Sequence, residues 1–380
     1  MSAYQYYEFL AIDRPLTERQ LAEIRNVSTR AKLTPTSFVN EYNFGGFKGD
    51  PVKFLTKHYD LMVYYANWGT HRFMFSVPGE AIDPQQAGAY CVTDSAEMHA
   101  AGDKVIFDLT SQVEDWDWEE EGNWMVALAP VRDLVIGGDL RPLYLAWLSG
   151  VPDADLDEDD VEPPVPPGLG RLPAPLKRLA EFLRVDQDLL DVAAQGSAPL
   201  VEKDDRFDDW LISLPEAEKA SLLTKLAAGT DPHAAAKLRR RFLQEQASRQ
   251  SQNELSPRRP IGQLLREAEE TRHVREERER RLAAEKRARS EARKAKERAD
   301  YLDGLAEQEE NIWKKVEGLV NEKNAKSYDQ AVTFLIDLRD LADRSGHRSA
   351  FDQRVTDLHK RHQKKTTFIQ RLRNVAPLQR

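Results

Sequence analysis

Cysteine is almost absent from this chain. Cys91 is the only one in 380 residues, which excludes an intrachain disulfide and suits a reducing, cytoplasmic setting. The thiol itself reads in two ways, as a reactive group or as an inert buried one. Long apolar runs are absent too: no stretch approaches ~18 uninterrupted apolar residues, so no membrane span and no membrane partner are expected. Met1 to Leu10 offers neither a basic nor an apolar signal region, so no secretory leader is expected. Motifs of nucleophilic and phosphate chemistry are missing as well. There is no Gly-x-Ser-x-Gly, and Gly45-Gly46-Phe47-Lys48-Gly49-Asp50 lacks the Gly-Lys-Ser/Thr ending of a P-loop. That stretch reads as a turn in which glycine supplies positive φ, with anion binding as the alternative. No cofactor is expected, and an interaction role is favoured over catalysis.

What is present is charge, unevenly spread. The chain carries a formal net charge of -9, divided as -9 over residues 1–150, -7 over 151–165, -4 over 166–235 and +11 over 236–380. An acidic front and a basic back either attract each other or serve different partners. At roughly 100–200 residues per domain, two or three folded units are expected.

Residues 4–12 (YQYYEFLAI) read as a strand ended by Pro15, and 16–29 as a helix capped by Thr17. Strand patterns follow at 36–44, 61–66, 72–77, 104–109 and 124–129, with Asn67-Trp68-Gly69-Thr70 a turn between the second and third of these. Short helices are predicted from about Pro51 to His58 and over 139–149. Residues 1–150 are thus expected to form an aromatic-rich mixed α/β domain. Over 151–175, seven acids between Asp153 and Glu162 precede PPVPPGLGRLPAP, a composition that predicts an extended, solvated acidic Pro-rich linker.

Beyond the linker the pattern is helical, so the fold class is α+β with an all-α C-terminal half. Short helices fill 176–250, including 175–194, 214–228 and 231–248. Residues 251–305 hold a long charged helix; its stretch 261–300 is polar all round and laced by i,i+4 pairs such as Glu276/Arg280 and Glu285/Arg289. It reads as a rod about 60 Å long at ~1.5 Å per residue, or as a surface awaiting a partner. No heptad is sustained, which disfavours a coiled coil. A helical-hairpin module is expected over 306–380, with buried stripes at Ile312, Val316, Leu319 and Val320, and again from Tyr328 to Ala342, where Ser345-Gly346 ends the helix.

Three groups of residues are candidate binding surfaces. In the head, Tyr64, Tyr65, Asn67, Trp68, His71 and Arg72 suit a groove for a peptide, a ligand or stacked bases; the alternative is that alternate side chains of these strands form core. Glu114, Asp115, Asp117 and Glu119, with two tryptophans between them, suit a patch for a basic partner, a solvated loop or an oxygen-ligand metal site. No EF-hand pattern is present and no metal is expected there, nor at His359 and His362, where neighbouring cations oppose one. The basic tail Lys360, Arg361, Lys364, Lys365, Arg371 and Arg373 suits nucleic acid through sequence-independent phosphate attraction. For an enzyme of unrecognised type the least unsuitable residues are His71, Arg72 and Asp108.

Two resemblances go further. Tyr328-Asp329-Gln330-Ala331-Val332, Leu335, Asp337-Leu338-Arg339, Leu341-Ala342 and Gly346, with His359-Lys360-Arg361-His362 and Lys364-Lys365, resemble the C-terminal helical module of bacterial SWIM zinc-finger family proteins. The likeness covers about sixty residues. It excludes the zinc finger, which needs a Cys-x-Cys pair followed by Cys-x-His. It implies work beside a SWIM-type, DNA-associated system, with such a protein as a partner by association. The stretches YQYYEFLAIDRPL, TPTSFVNEYNFGGFKGDP and YYANWGTHRFMF resemble an uncharacterised bacterial protein family, which implies a class and a compartment but no mechanism. The expectation is an interaction or scaffold protein with a protein partner, with a nucleic-acid accessory factor and an enzyme as alternatives.

Overall fold

The computed structural model describes residues 4–113, 123–154, 156–200, 205–228, 233–250 and 258–373. Its contacts divide the chain into two units, residues 1–275 and 276–380.

The first unit is built on β1 (Gln5–Leu10), β2 (Lys32–Leu33), β3 (Ser37–Tyr42), β4 (Leu61–Ala66), β5 (Thr70–Pro78), β6 (Ala96–Ala101) and β7 (Lys104–Gln112). They form one sheet in the order β2-β3-β1-β4-β5-β7-β6, and every pairing is antiparallel. β4 lies mid-sheet, and its sequence LMVYYA is apolar throughout because both its faces are packed. The β4–β5 turn closes through Gly69 N–H to Ala66 C=O at 3.0 Å, and Gly69 sits at φ +91°, which a side chain would resist.

Register sorts the side chains onto two faces. One cross-strand row runs Phe38, Phe9, Met62, Met74, Asp108, Glu97, so it is apolar at one end and acidic at the other. Its apolar end packs under α1 (Glu18–Val27) and α2 (Pro51–His58) through Ile24, Phe54 and Leu55. Asp50 starts α2 by accepting from the N–H groups of Val52 and Lys53, with Pro51 in the first turn where no N–H is needed. The opposite face carries Val63, Phe73, Phe75, Phe107 and Leu109 against α4 (Trp124–Ile136), α5 (Arg141–Gly150), α6 (Ala174–Phe182) and α7 (Gln187–Gln195). Each such side chain, fully buried, contributes about 1.5–3 kcal/mol relative to exposure. α3 (Pro84–Gly88) leads into β6. The helices α8 (Asp205–Ser213), α9 (Glu216–Ala228) and α10 (Ala234–Gln250) bring together a smaller cluster of Trp210, Leu214 and Phe242.

Two expectations are corrected here, and one strand was not foreseen. The apolar run 124–129 is the start of α4, not a strand: Asn123 caps it, and Met125, Leu128, Val131 and Val135 bury at helical spacing. A short apolar run does not reveal its period. Pro130 lies inside this helix, next to the solvent side marked by exposed Val126. The unforeseen strand is β6 (AEMHAA), which composition hides, since alanine has low strand preference.

Second, the stretch beyond residue 150 is not a solvated linker throughout. Asp153 and Asp157–Asp160 are exposed, but from Leu156 onward the chain is strapped onto the head. Glu162 is 2 % exposed and accepts from the Tyr144 hydroxyl and from Arg259 at 3.0 Å; the Tyr90 hydroxyl donates to the Pro164 carbonyl at 2.7 Å. Prolines donate no backbone hydrogen bond, so an extended Pro-rich strap leaves few orphan groups when its Leu169 and Leu172 bury. The start of α11 (Ile261–Ala306) lies so close to the strap that a Cβ on Gly262 would come within 2.9 Å of Glu158 Cβ. Ile261, Leu264 and Ala268 of α11 join the head's core. The compositional boundary near residue 150 therefore is not the unit boundary.

The second unit contains the end of α11 and four further helices: α12 (Glu309–Asn321), α13 (Ala325–Ser345), α14 (Arg348–Arg361) and α15 (Thr366–Leu372). Its core takes Leu302, Leu305, Trp313, Val316, Val320, Leu335 and others from the predicted stripes. Asn324 caps α13 through Ser327 N–H, and Gly346 ends it at φ +73°. Among the described residues no helix is long and apolar enough to cross a membrane.

Candidate functional site

The six head residues singled out in the sequence do not converge. Side chains alternate along a strand, so Tyr64 and Arg72 lie on the sheet face beneath α1 and α2, while Tyr65 and His71 lie on the other. His71 packs on Phe182 at 4.9 Å, and Tyr65 stacks on Tyr6 at 4.7 Å. Asn67 is structural: its side chain accepts from Tyr4 N–H at 2.9 Å and its own N–H donates to the Tyr4 carbonyl. The trio His71, Arg72 and Asp108 is divided by the same alternation. Arg72 forks onto Asp108, with Nε 2.8 Å from Oδ1 and Nη2 on Oδ2, but His71 faces away from both. His71, Arg72 and Asp108 therefore do not form one site.

Aromatic residues do gather at one end of the sheet. The end of β3, the start of β1 and the β4–β5 turn meet there, because Gln5 pairs with both Tyr42 and Ala66. Gln5 Nε2 donates to the Gly45 carbonyl at 2.6 Å, which ties down the loop after β3. This end displays Phe44, 86 % exposed, and Trp68, 43 % exposed, with Tyr4, Tyr6 and Tyr65 half-buried on one sheet face and Tyr42 and Phe47 half-buried on the other. Tyr7 links the group inward, stacking on Phe47 at 5.3 Å and meeting Tyr42 edge-on at 5.8 Å. Burial, with the neighbouring Glu8 carboxylate, pushes the Tyr6 hydroxyl well above its ordinary range, so it stays a neutral donor to Glu8.

A buried charge network lies among strand ends and α4, and the sequence reading missed it. Arg132, 0 % exposed, donates from Nε to the Ser76 carbonyl at 2.6 Å and from Nη2 to Asp13 at 2.7 Å. Asp60 accepts from the N–H groups of Ile12 and Asp13 and from Lys104 at 2.9 Å. Burial alone would push its carboxyl up, but these donors outweigh burial and hold it below the usual carboxylate range. His233 stands 3.5 Å from Asp13. A cavity of about 30 Å3, large enough for one water, is lined by Asp13, Asp60, Lys104, His58 and Tyr59. The signal was Arg132 itself, a lone cation in an apolar helical face. Packing accounts for the network: it joins the ends of β1, β4, β5 and β7 to α4 and α10.

Other candidates resolve as follows. Glu114, Asp115, Asp117 and Glu119 lie outside the described residues. Cys91 is half-buried, and burial, with Glu97 nearby, pushes its thiol up to about 11, which makes it inert at neutral pH. In the basic tail, Arg361 pairs with Glu317, Lys365 donates to the Val320 carbonyl at 2.9 Å, and Arg371 donates to Asp329 at 2.6 Å, so three of the six cations hold helices together. Lys360, Lys364 and Arg373 remain exposed. The denser cationic surface is on α11: from Arg278 to Arg298 ten Lys and Arg face four Glu, and every residue from 277 to 297 is exposed except half-buried Ser290. Among the described residues, one group of three ligand-type side chains has its ligand atoms within 4.8 Å of one another: Glu97, His99 and Asp108. No protein-family model, no curated protein and no solved structure matches this chain.

Proposed function

We propose that this chain is an interaction protein whose head takes a protein partner on the aromatic end of its sheet and whose helical arm takes another. One observation carries the reading: Phe44 and Trp68 are solvent-exposed at the same end of an antiparallel sheet, where half-buried tyrosines lie on both faces. Exposed tryptophan and tyrosine on a rigid support lose little entropy on binding and dominate interface energies. The setting taken is cytoplasmic, supported by the single inert cysteine. The resemblance of α13 and α14 to the SWIM-family module suggests a SWIM-type zinc-finger protein as the second partner.

The experiment is affinity capture of the full-length chain from cells, with mass spectrometry, beside the Phe44→Ala/Trp68→Ala variant. The wild type retains a partner that the variant, folded by circular dichroism, loses. An identical set of co-purifying proteins for both would remove the reading.

A second reading has its own observation, the exposed cationic stretch of α11: a nucleic-acid accessory role. Sequence-independent phosphate binding falls steeply with salt, with a slope of about -0.9 per phosphate contacted in duplex DNA. Anisotropy titrations of labelled duplex at rising salt test it, and absence of binding at low salt rejects it. The tail is the poorer surface, since half of its cations are already paired.

A further inference from the structure

We propose that Glu97, His99 and Asp108 form a binding site for a divalent first-row transition-metal ion, with Zn2+ as the representative ion. The site follows from strand pairing, which the sequence alone does not display. Glu97 and His99 are two residues apart on β6 and so project from the same face. Asp108 on β7 is the direct cross-strand partner of Glu97. Two carboxylates and an imidazole are thus held on one hairpin, a mixed oxygen and nitrogen donor set suited to Zn2+ and its neighbours.

The Glu97–His99 spacing matches the ion, and the spacing to Asp108 is wider. Ligand bonds of about 2.0–2.2 Å in a tetrahedral centre put neighbouring donor atoms about 3.3 Å apart. His99 Nε2 lies 3.2 Å from Glu97 Oε2 and 4.0 Å from Asp108 Oδ2. Yet His99 Nε2 is a buried atom with no hydrogen-bond partner among the described residues. A carboxylate oxygen stands within reach, but not along the direction an N–H would donate. By distance, the ring nitrogen stands within reach of both carboxylates without a hydrogen bond to either.

Arg72 supports the arrangement. Its guanidinium grips Asp108 through Nε at 2.8 and 3.0 Å and through Nη2, while Thr110 Oγ1 lies 3.4 Å from Oδ1. Carboxylate ligands of metals are themselves hydrogen-bonded, which fixes their orientation. A carboxylate has about four lone-pair sites, so this grip leaves Asp108 able to ligate. Two carboxylates against one guanidinium leave the cradle with one net negative charge, which favours a cation. Glu97 and His99 also line a surface depression of about 480 Å3, together with Cys91, Asp94 and Met98. Three protein ligands leave one coordination position for water or a small ligand.

The test uses the full-length protein after treatment with a chelator. Wild type binds one equivalent of Zn2+ at micromolar concentration by calorimetry, and Co2+ in its place gives the visible bands of a low-symmetry centre. His99→Ala abolishes both signals. Glu97→Gln, altering a side chain 56 % exposed and so without consequence for folding, lowers affinity by about 10-fold or more, the scale of weakened ligation. His359→Ala/His362→Ala, removing a histidine pair spaced i,i+3 outside the site, leaves the isotherm unchanged. Zn2+ binding that survives both His99→Ala and Glu97→Gln, binding removed by the His359/His362 variant, or no saturable binding by wild type would each overturn the assignment.

Discussion

In the first unit charged side chains lie inside the fold; in the second they ring an apolar core. Arg132, Asp60, Asp108 and Glu162 are all buried in the head, and their partners are remote in sequence: Arg132 pairs with Asp13, Glu162 with Arg259. In the second unit, Asp337 is the one charged side chain buried among the described residues, and it is held by Arg298 at 2.6 Å and Tyr301 at 2.8 Å. Its other pairs, such as Arg371 with Asp329, sit on the rim. Desolvation offsets most of the attraction in a buried pair, so such a pair adds little net stability, whereas removing one member leaves an unpaired charge in the interior. Buried pairs that join distant segments fix which segments meet. An apolar stripe tolerates sliding more readily, and the second unit instead relies on caps at Asn324 and Gly346.

The largest test of this contrast is Glu162→Ala, which strips Arg259 and the Tyr144 hydroxyl of their shared carboxylate. The expected loss is about 3–5 kcal/mol in urea unfolding of the full chain. A loss below about 1 kcal/mol, the surface-pair range, would erase the distinction between the units.

Acid gives an intermediate effect. Asp60's carboxyl is held below its ordinary value, so its contribution to stability is present above the unfolded carboxylate range, near about pH 4. It is lost as the pH falls through the lowered folded value. Thermal melts from neutral pH downward should show wild type losing stability in that window, while Asp60→Asn starts lower and changes less. Parallel curves would mean that Asp60 is not the group linking protons to folding.

The smallest effect is expected at the rim of the second unit. Arg371→Ala should cost under about 1 kcal/mol, because an exposed pair gains little in water. A loss of several kcal/mol there would show that the tail cations carry the packing of α15 onto α13.

Much of this architecture was legible in the sequence. Strands at 61–66 and 72–77, the helix at 51–58 and the helices after residue 308 follow from periodicity and caps, and they stand where expected. The reading failed where local pattern and tertiary setting diverge. Residues 124–129 are apolar at nearly every position because α4 is pressed against the sheet, and such a run has no visible period. The Pro-rich stretch reads as solvated because acids dominate its count, yet one of them, Glu162, turns inward. At the candidate sites the residue types were found but their grouping was not. Alternation alone would have separated Tyr64 from Tyr65 and His71 from Arg72. Placing Asp108 beside Glu97, or Phe44 and Trp68 at one end of the sheet, required knowing which strands pair, and no single sequence states that.

The two borders of the sheet carry one more consequence. An open antiparallel sheet offers unpaired backbone groups at each edge, a template for strand addition by another chain. Here one border is β2, only two residues long and bearing exposed Lys32; the other is β6, six residues rich in alanine and bearing Glu97 and His99. Short length at one side and polar side chains at the other make stacking of copies edge to edge unfavourable, which guards the head against fibre formation.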